Sequence, residues 1–150
     1  MHDITLYGHL TIDRIFDGCD ETQTVGAMAN MWRTFKQIAP ELDIGLVPTS
    51  IGEALIYVDR ESCTRYSNFV PDLKTKNPLI HESKISHAMY INILPDVTWL
   101  NQLKGKISAD VCAGTKVDST MLQHIDYFFI ADEDAYSDLS TMCKDTKGYV

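Results

Sequence analysis

The chain has 150 residues, with 13 Lys and Arg against 21 Asp and Glu, a formal net charge of −8 and a sequence pI near 4.9. That charge opposes a phosphate backbone and argues against a nucleic-acid partner. An apolar fraction of 45% fits a single globular domain over residues 1–150, and no apolar run approaches the roughly 20 residues that span a bilayer, so no membrane partner is expected.

The N-terminus, Met1-His2-Asp3, lacks the basic and apolar regions of a signal peptide, which points to a cytoplasmic location. Residues 3–8 read as a buried strand around Ile4-Thr5-Leu6-Tyr7, with Asp13 just past its end. Residues 17–24 read as a polar loop or short lid piece. An apolar stripe at Met28, Met31, Trp32, Phe35 and Ile38 predicts a helix over 25–38, capped at Thr24 and stopped by Pro40. A short strand follows over 43–47. Residues 53–59 and 64–69 predict a hairpin joined by Arg60-Glu61-Ser62-Cys63, whose Leu55, Tyr57 and Tyr66 need cover. Residues 70–84, with Pro71 and Pro78, read as a long surface connection. Then come a strand at 87–93, a short helix at 96–103, a strand at 106–110, a helix at 118–124, a strand at 126–131 and a helix at 132–144. This alternation predicts an α/β protein with a parallel sheet. Cys19, Cys63, Cys112 and Cys143 are far apart and form no C-x-x-C, so reduced thiols are expected.

In such a sheet, ligands bind outside the carboxyl ends of the strands. An acid after the first strand, Asp13, and an amide one turn into the first helix, Asn30, suit a polyhydroxylated substrate, because a carboxylate accepts from two hydroxyls and an amide both donates and accepts. Each residue also has a purely structural reading. Asp13 could cap a turn, Gly26 could permit close helix–strand packing, and Asn30 could bond a loop carbonyl. Asp132, Glu133 and Asp134 open a predicted helix, where acids favour the dipole with or without a metal-linked role. Asp110 ends a strand on the expected ligand side. The five histidines have no metal-ligand spacing, and the sequence carries no P-loop, G-x-G-x-x-G or G-x-S-x-G. No catalytic residue is assigned.

Four stretches, taken in order, carry a resemblance: Gly8 to Asp13; Val25-Gly26 to Asn30; Ile107-Ser108-Ala109-Asp110; and Ile125-Asp126 through Ala131-Asp132-Glu133-Asp134-Ala135. Together they resemble the PfkB, or ribokinase-like, carbohydrate and nucleoside kinases over nearly the whole chain. The resemblance implies a ribokinase-like (Rossmann-like) α/β fold, a mostly parallel sheet flanked by helices, with residues 53–69 as a projecting β lid hairpin. It implies phosphoryl transfer from ATP with Mg²⁺ to a sugar or nucleoside hydroxyl. Asp13, Gly26 and Asn30 would contact the substrate, and Asp134 would serve the cofactor side. A homodimer through the lid hairpin would cover its apolar face.

Five departures qualify that expectation. Val25 stands where the family has a first glycine, and its Asn-x-x-Glu is Ala131-x-x-Asp134 here. The family's Gly-Ala-Gly-Asp anion hole and base have no counterpart, and the span between the first helix and Ile51-Gly52-Glu53-Ala54 is short by a strand–helix unit. The chain stops at Lys147-Gly148-Tyr149-Val150, which reads as the start of another strand. The expectation is therefore the substrate-binding half of such a kinase, truncated before the ATP-site half and inactive alone. The alternative is a non-catalytic, kinase-like binding or assembly module.

Overall fold

The computed structural model describes residues 1–74, 77–94, 96–112 and 122–130. The predicted helix at 132–144, most of the one at 118–124, and Asp134 with its acidic neighbours lie outside the described residues.

The described residues form one seven-stranded sheet and one α-helix. In chain order the strands are β1 (His2–Asp17), β2 (Asp20–Val25), β3 (Ile44–Asp59), β4 (Thr64–Lys74), β5 (Ser83–Ala88), β6 (Lys106–Asp110) and β7 (Tyr127–Phe129), with helix α1 (Ala27–Ile38) between β2 and β3. The strand order is β4-β3-β1-β5-β6-β7, and β2 pairs with β1 as well. The pairs β3–β1, β1–β5, β5–β6 and β6–β7 are parallel, whereas β2 and β4 run antiparallel to their neighbours. No helix among the described residues is long and apolar enough to cross a membrane.

The central strands are longer than their sequence pattern predicts. β1 does not end at Gly8 but continues through Asp13, because β-branched Thr11, Ile12 and Ile15 favour extended backbone. Gly8 marks a bulge instead of a terminus: the β1–β3 register shifts between Gly8 and His9, skipping Thr49. Pro48 sits beside this irregularity, where a strand tolerates proline, so the predicted strands at 43–47 and 53–59 are one. Residues 17–24, expected as a polar loop or short lid piece, are mostly β2, a strand of the lid. A two-residue turn, Gly18-Cys19, folds it back onto β1, with Gly18 at φ +63° as such a turn requires of its first residue.

The lower half of β1 pairs with β5 and the upper half with β2, while β3 follows it throughout. The predicted lid hairpin is thus part of a four-stranded extension, β4-β3-β1-β2, that grows directly out of the parallel core. Arg60 ties the two tips of this lid together through Asp17, at 2.6 and 2.7 Å, and holds the Asp17 carboxyl below the usual carboxylate range.

Both faces of the parallel core are covered, which the alternation of β1 encodes. Leu6 faces α1 with Met28, Ile44 and Met89, whereas Tyr7 faces the other way with Trp99, Leu100, Ile107 and Phe128. Tyr7 and Trp99 have ring centroids 5.1 Å apart, and burial pushes the Tyr7 phenol up although its oxygen accepts from the His81 amide at 3.0 Å. The segment expected to be a strand at 87–93 is β5, shifted towards Ser83, followed by a 3-10 turn at Ile91–Ile93. The expected helix at 96–103 is a 3-10 turn at Thr98–Gln102. Asp126, from the last of the resembling stretches, is a buried strut: its oxygens accept from Ile107 N at 2.9 Å and Lys106 Nζ at 3.2 Å, locking β6 to the start of β7.

Candidate functional site

A cleft of about 270 Å³ lies at the carboxyl ends of β5 and β6 and beneath the lid. Its position follows from the strand pattern. On β1, residues two apart share a face, so His9, Thr11 and Asp13 point to one side. On β3, Ala54, paired with Asp13, and Ile56, two residues on, form the roof with their β4 partners Phe69 and Ser67. Met28 from α1 and the Met89–Ile93 turn after β5 close the remaining sides.

Asp13 is half-buried and is oriented by its own strand: Thr11 Oγ1 donates to Asp13 Oδ1 at 2.7 Å. Thr11 is fixed in turn by the helix entrance, because the Gly26 amide donates to the Thr11 carbonyl at 2.9 Å. Gly26 is the residue that caps α1, in place of the expected Thr24, which lies on β2 opposite Asp13. A Cβ at Gly26 would fall 1.8 Å from Thr11 Oγ1 and 2.9 Å from Asp13 Oδ1. The glycine is required by this close approach, not by its backbone angle.

Asn30 lies one turn further on, exposed, with its Nδ2 donating to the Val25 carbonyl at 2.9 Å. It is not among the residues lining the cleft. The fold therefore gathers Asp13 and Gly26 around Thr11, and directs the Asn30 amide to the β2–α1 turn. The clustering of Thr11 with Asp13 was missed because the strand was ended too early; two positions of alternation past Gly8 would have found it.

The cleft floor is held by β6. Tyr90 adopts the left-handed conformation, φ +53° and ψ +50°, which is costly for a residue with a side chain. Its amide donates to Asp110 Oδ1. Two residues on, Asn92 Oδ1 accepts from Cys112 N at 3.1 Å, and Asn92 Nδ2 donates to the Cys112 carbonyl. Asp110 thus pins the strained turn that presents Tyr90 to the cleft. At the bulge, His9 Nδ1 bonds Ser50 Oγ, and its ring lies 4.5 Å from that of Phe69 across the roof.

The electrostatics suit a neutral, hydroxylated ligand. Asp13 is the one carboxylate among the described residues lining the cleft, and none of them is Lys or Arg. No group of three or more His, Cys, Asp or Glu among the described residues could hold a metal ion. The described residues lining the cleft thus offer no cation to the charge of a triphosphate.

No family profile matches the sequence, and no curated protein matches it. Solved structures do. Ribokinase from Thermotoga maritima superposes with a TM-score of 0.61 at 16% identity, over 89% of this chain and 61% of that protein. A pyrophosphate-dependent kinase in the ribokinase family, complexed with a pyrophosphate analog and myo-inositol, matches with a TM-score of 0.54 at 14% identity, over 94% of this chain and 67% of that one. The chain has a ribokinase-like fold and spans about three fifths of the length of the ribokinase it matches.

Proposed function

We propose that this ribokinase-like chain supplies the acceptor side of a phosphotransferase, holding a sugar or nucleoside whose hydroxyl receives the phosphoryl group. The observation that carries this reading is the Gly26–Thr11–Asp13 cluster beneath the lid. With Oδ1 of Asp13 engaged by Thr11, Oδ2 is left to accept from ligand hydroxyls, and its direction is preset. Preset direction is what positioning contributes to such a transfer. The roof of Ala54, Ile56 and Phe69 shields the acceptor from water. The donor is a separate matter. Resemblance implies ATP with Mg²⁺, bound in part through Asp134, yet one protein of this fold is described as pyrophosphate-dependent.

A second reading, a binding module without chemistry, draws on the same cleft. It is favoured by the lack of a cation or a second acid among the described residues lining the cleft. One experiment addresses both readings. The 150-residue chain is titrated by calorimetry with pentoses, hexoses and nucleosides, then incubated with each ligand plus ATP–Mg²⁺ or pyrophosphate–Mg²⁺. Binding of one class without phosphorylated product is the expected result. Product above an Asp13→Ala control would overturn the proposal that this chain is inactive alone, and failure of every class to bind would remove the acceptor site.

The lid's outer face suits a homodimer. Ile12, Tyr57, Tyr66 and Val70 are between 43% and 61% exposed on it, and Phe16 stacks on Tyr57 with centroids 5.0 Å apart. Tyr57 and Tyr66 are directly paired across β3 and β4, so the double change Tyr57→Asp with Tyr66→Asp places two charges at the centre of this patch. Sedimentation is expected to report a dimer for the parent and a monomer for the variant. A monomeric parent would rule the dimer out.

A further inference from the structure

A second cavity of about 420 Å³ lies on the α1 side of the sheet, between that helix and β5–β7, and among the described residues shares no lining residue with the cleft. Most of its wall is apolar, from Leu6, Met31, Phe35, Ile85 and Phe129, with one polar corner made by His87, Ser108 and Asp110. The strands dictate that corner. Ser108 and Asp110 are two apart on β6, and His87 pairs with Ser108 across β5, so all three side chains emerge on one face.

His87 is 7% exposed. Its Nδ1 lies 2.9 Å from Ser108 Oγ, and its Nε2 lies 3.5 Å from Asp110 Oδ2. Nε2 makes no hydrogen bond among the described residues, a costly state for a buried ring nitrogen. Asp110 Oδ1 accepts from the Tyr90 amide, and no Lys or Arg among the described residues lies within ion-pair distance of this carboxylate. His87, with an Nε2 that lacks a hydrogen bond, and Asp110, with no Lys or Arg beside it, thus border an apolar space with room for a ring.

We propose that this cavity binds a small, neutral aromatic alcohol of the phenol class. Its ring fills the apolar wall, and its hydroxyl sits between His87 and Asp110. With Ser108 donating to Nδ1, the Nε2 proton donates to the ligand oxygen, and the ligand hydroxyl donates to Asp110 Oδ2. A head group without a donor leaves Asp110 unmet, and an anionic head meets it with like charge. The site does not rest on the proposed acceptor function, although Asp110 also holds the Tyr90 turn at the cleft.

The test is a titration of the intact chain, followed through the methyl resonances of Leu6 and Ile85, with 4-ethylphenol, 4-ethylanisole and 4-ethylbenzoate. The phenol is expected to bind at least tenfold more tightly than either analogue. His87→Phe keeps a ring of similar size and removes the nitrogen; it is expected to weaken the phenol about tenfold. Equal binding of all three ligands by the parent chain would reduce the site to a greasy groove, whether or not the variant folds. Absence of phenol binding overturns the proposal. Contacts in the free protein between Ile85 and another part of this chain that already fills the space overturn it too.

Discussion

Replacing Asp13 by alanine is expected to weaken binding of the sugar or nucleoside by about ten- to a hundredfold, with little effect on folding. A hydrogen bond to a charged group contributes roughly 1.5–3 kcal/mol, and each ~1.4 kcal/mol is a factor of ten in affinity. Asp13 holds the one carboxylate among the described residues lining the cleft, so no neighbour substitutes for it. Its loss leaves only the half-buried Thr11 hydroxyl without an acceptor, and the strand ladder on both sides is untouched. Stability should therefore fall by less than about 1 kcal/mol. Calorimetry gives the affinity and the urea midpoint gives the stability. Unchanged affinity in a folded variant would show that ligand hydroxyls do not reach this oxygen.

Gly26→Ala should cost about 1–3 kcal/mol, the range for forcing an extra carbon into a packed site. The added Cβ would meet Thr11 Oγ1 at 1.8 Å and Thr11 Cβ at 3.1 Å. Either Thr11 leaves the rotamer that orients Asp13, or the helix entrance moves off β1 and strains the bond from the Gly26 amide to the Thr11 carbonyl. The diagnostic is non-additivity. Thr11→Ala alone removes the hydroxyl bond to Asp13 and is mildly destabilising. In the double variant, Gly26→Ala with Thr11→Ala, the 1.8 Å clash is gone and most of the stability lost in Gly26→Ala returns. Additive costs in urea unfolding would mean that the glycine answers to something other than Thr11.

The parallel core was readable because its signals are local. Ile4-Thr5-Leu6-Tyr7, the stripe from Met28 to Ile38 and the apolar run before Ile130 each carry the period of their element. The lid was only half readable. Gly8 and Pro48 look like breaks, yet in the fold they face each other at a single irregularity in the β1–β3 ladder. Nothing local says that two apparent breaks will coincide and let both strands run on. The same error displaced the site. With β1 ended at Gly8, Asp13 was assigned to a loop and Thr11 went unnoticed, although alternation along a continuing strand sets them side by side. Asn30 shows the opposite limit, since its spacing from Gly26 suits either ligand or loop and only coordinates place its amide against Val25. The Tyr90–Asp110 clamp joins residues 20 apart, and no composition or period announces it.

β1 and β3 run unbroken from the core into the lid, 16 residues each, and this governs how the roof can move. A flap on a loop swings about a few soft torsions, but this roof has no such joint. Tilting it means coiling two neighbouring strands together while their shared ladder holds. The compliant direction is therefore shear and twist along the sheet, spread over many residues, and the slack sits where the ladder skips Thr49. Mechanically the lid is a cantilever, clamped at its root by the packing of Leu6 and Tyr7 on opposite faces. Side-chain volume in the core, many residues away from any ligand, thereby sets the height of the ceiling above Asp13.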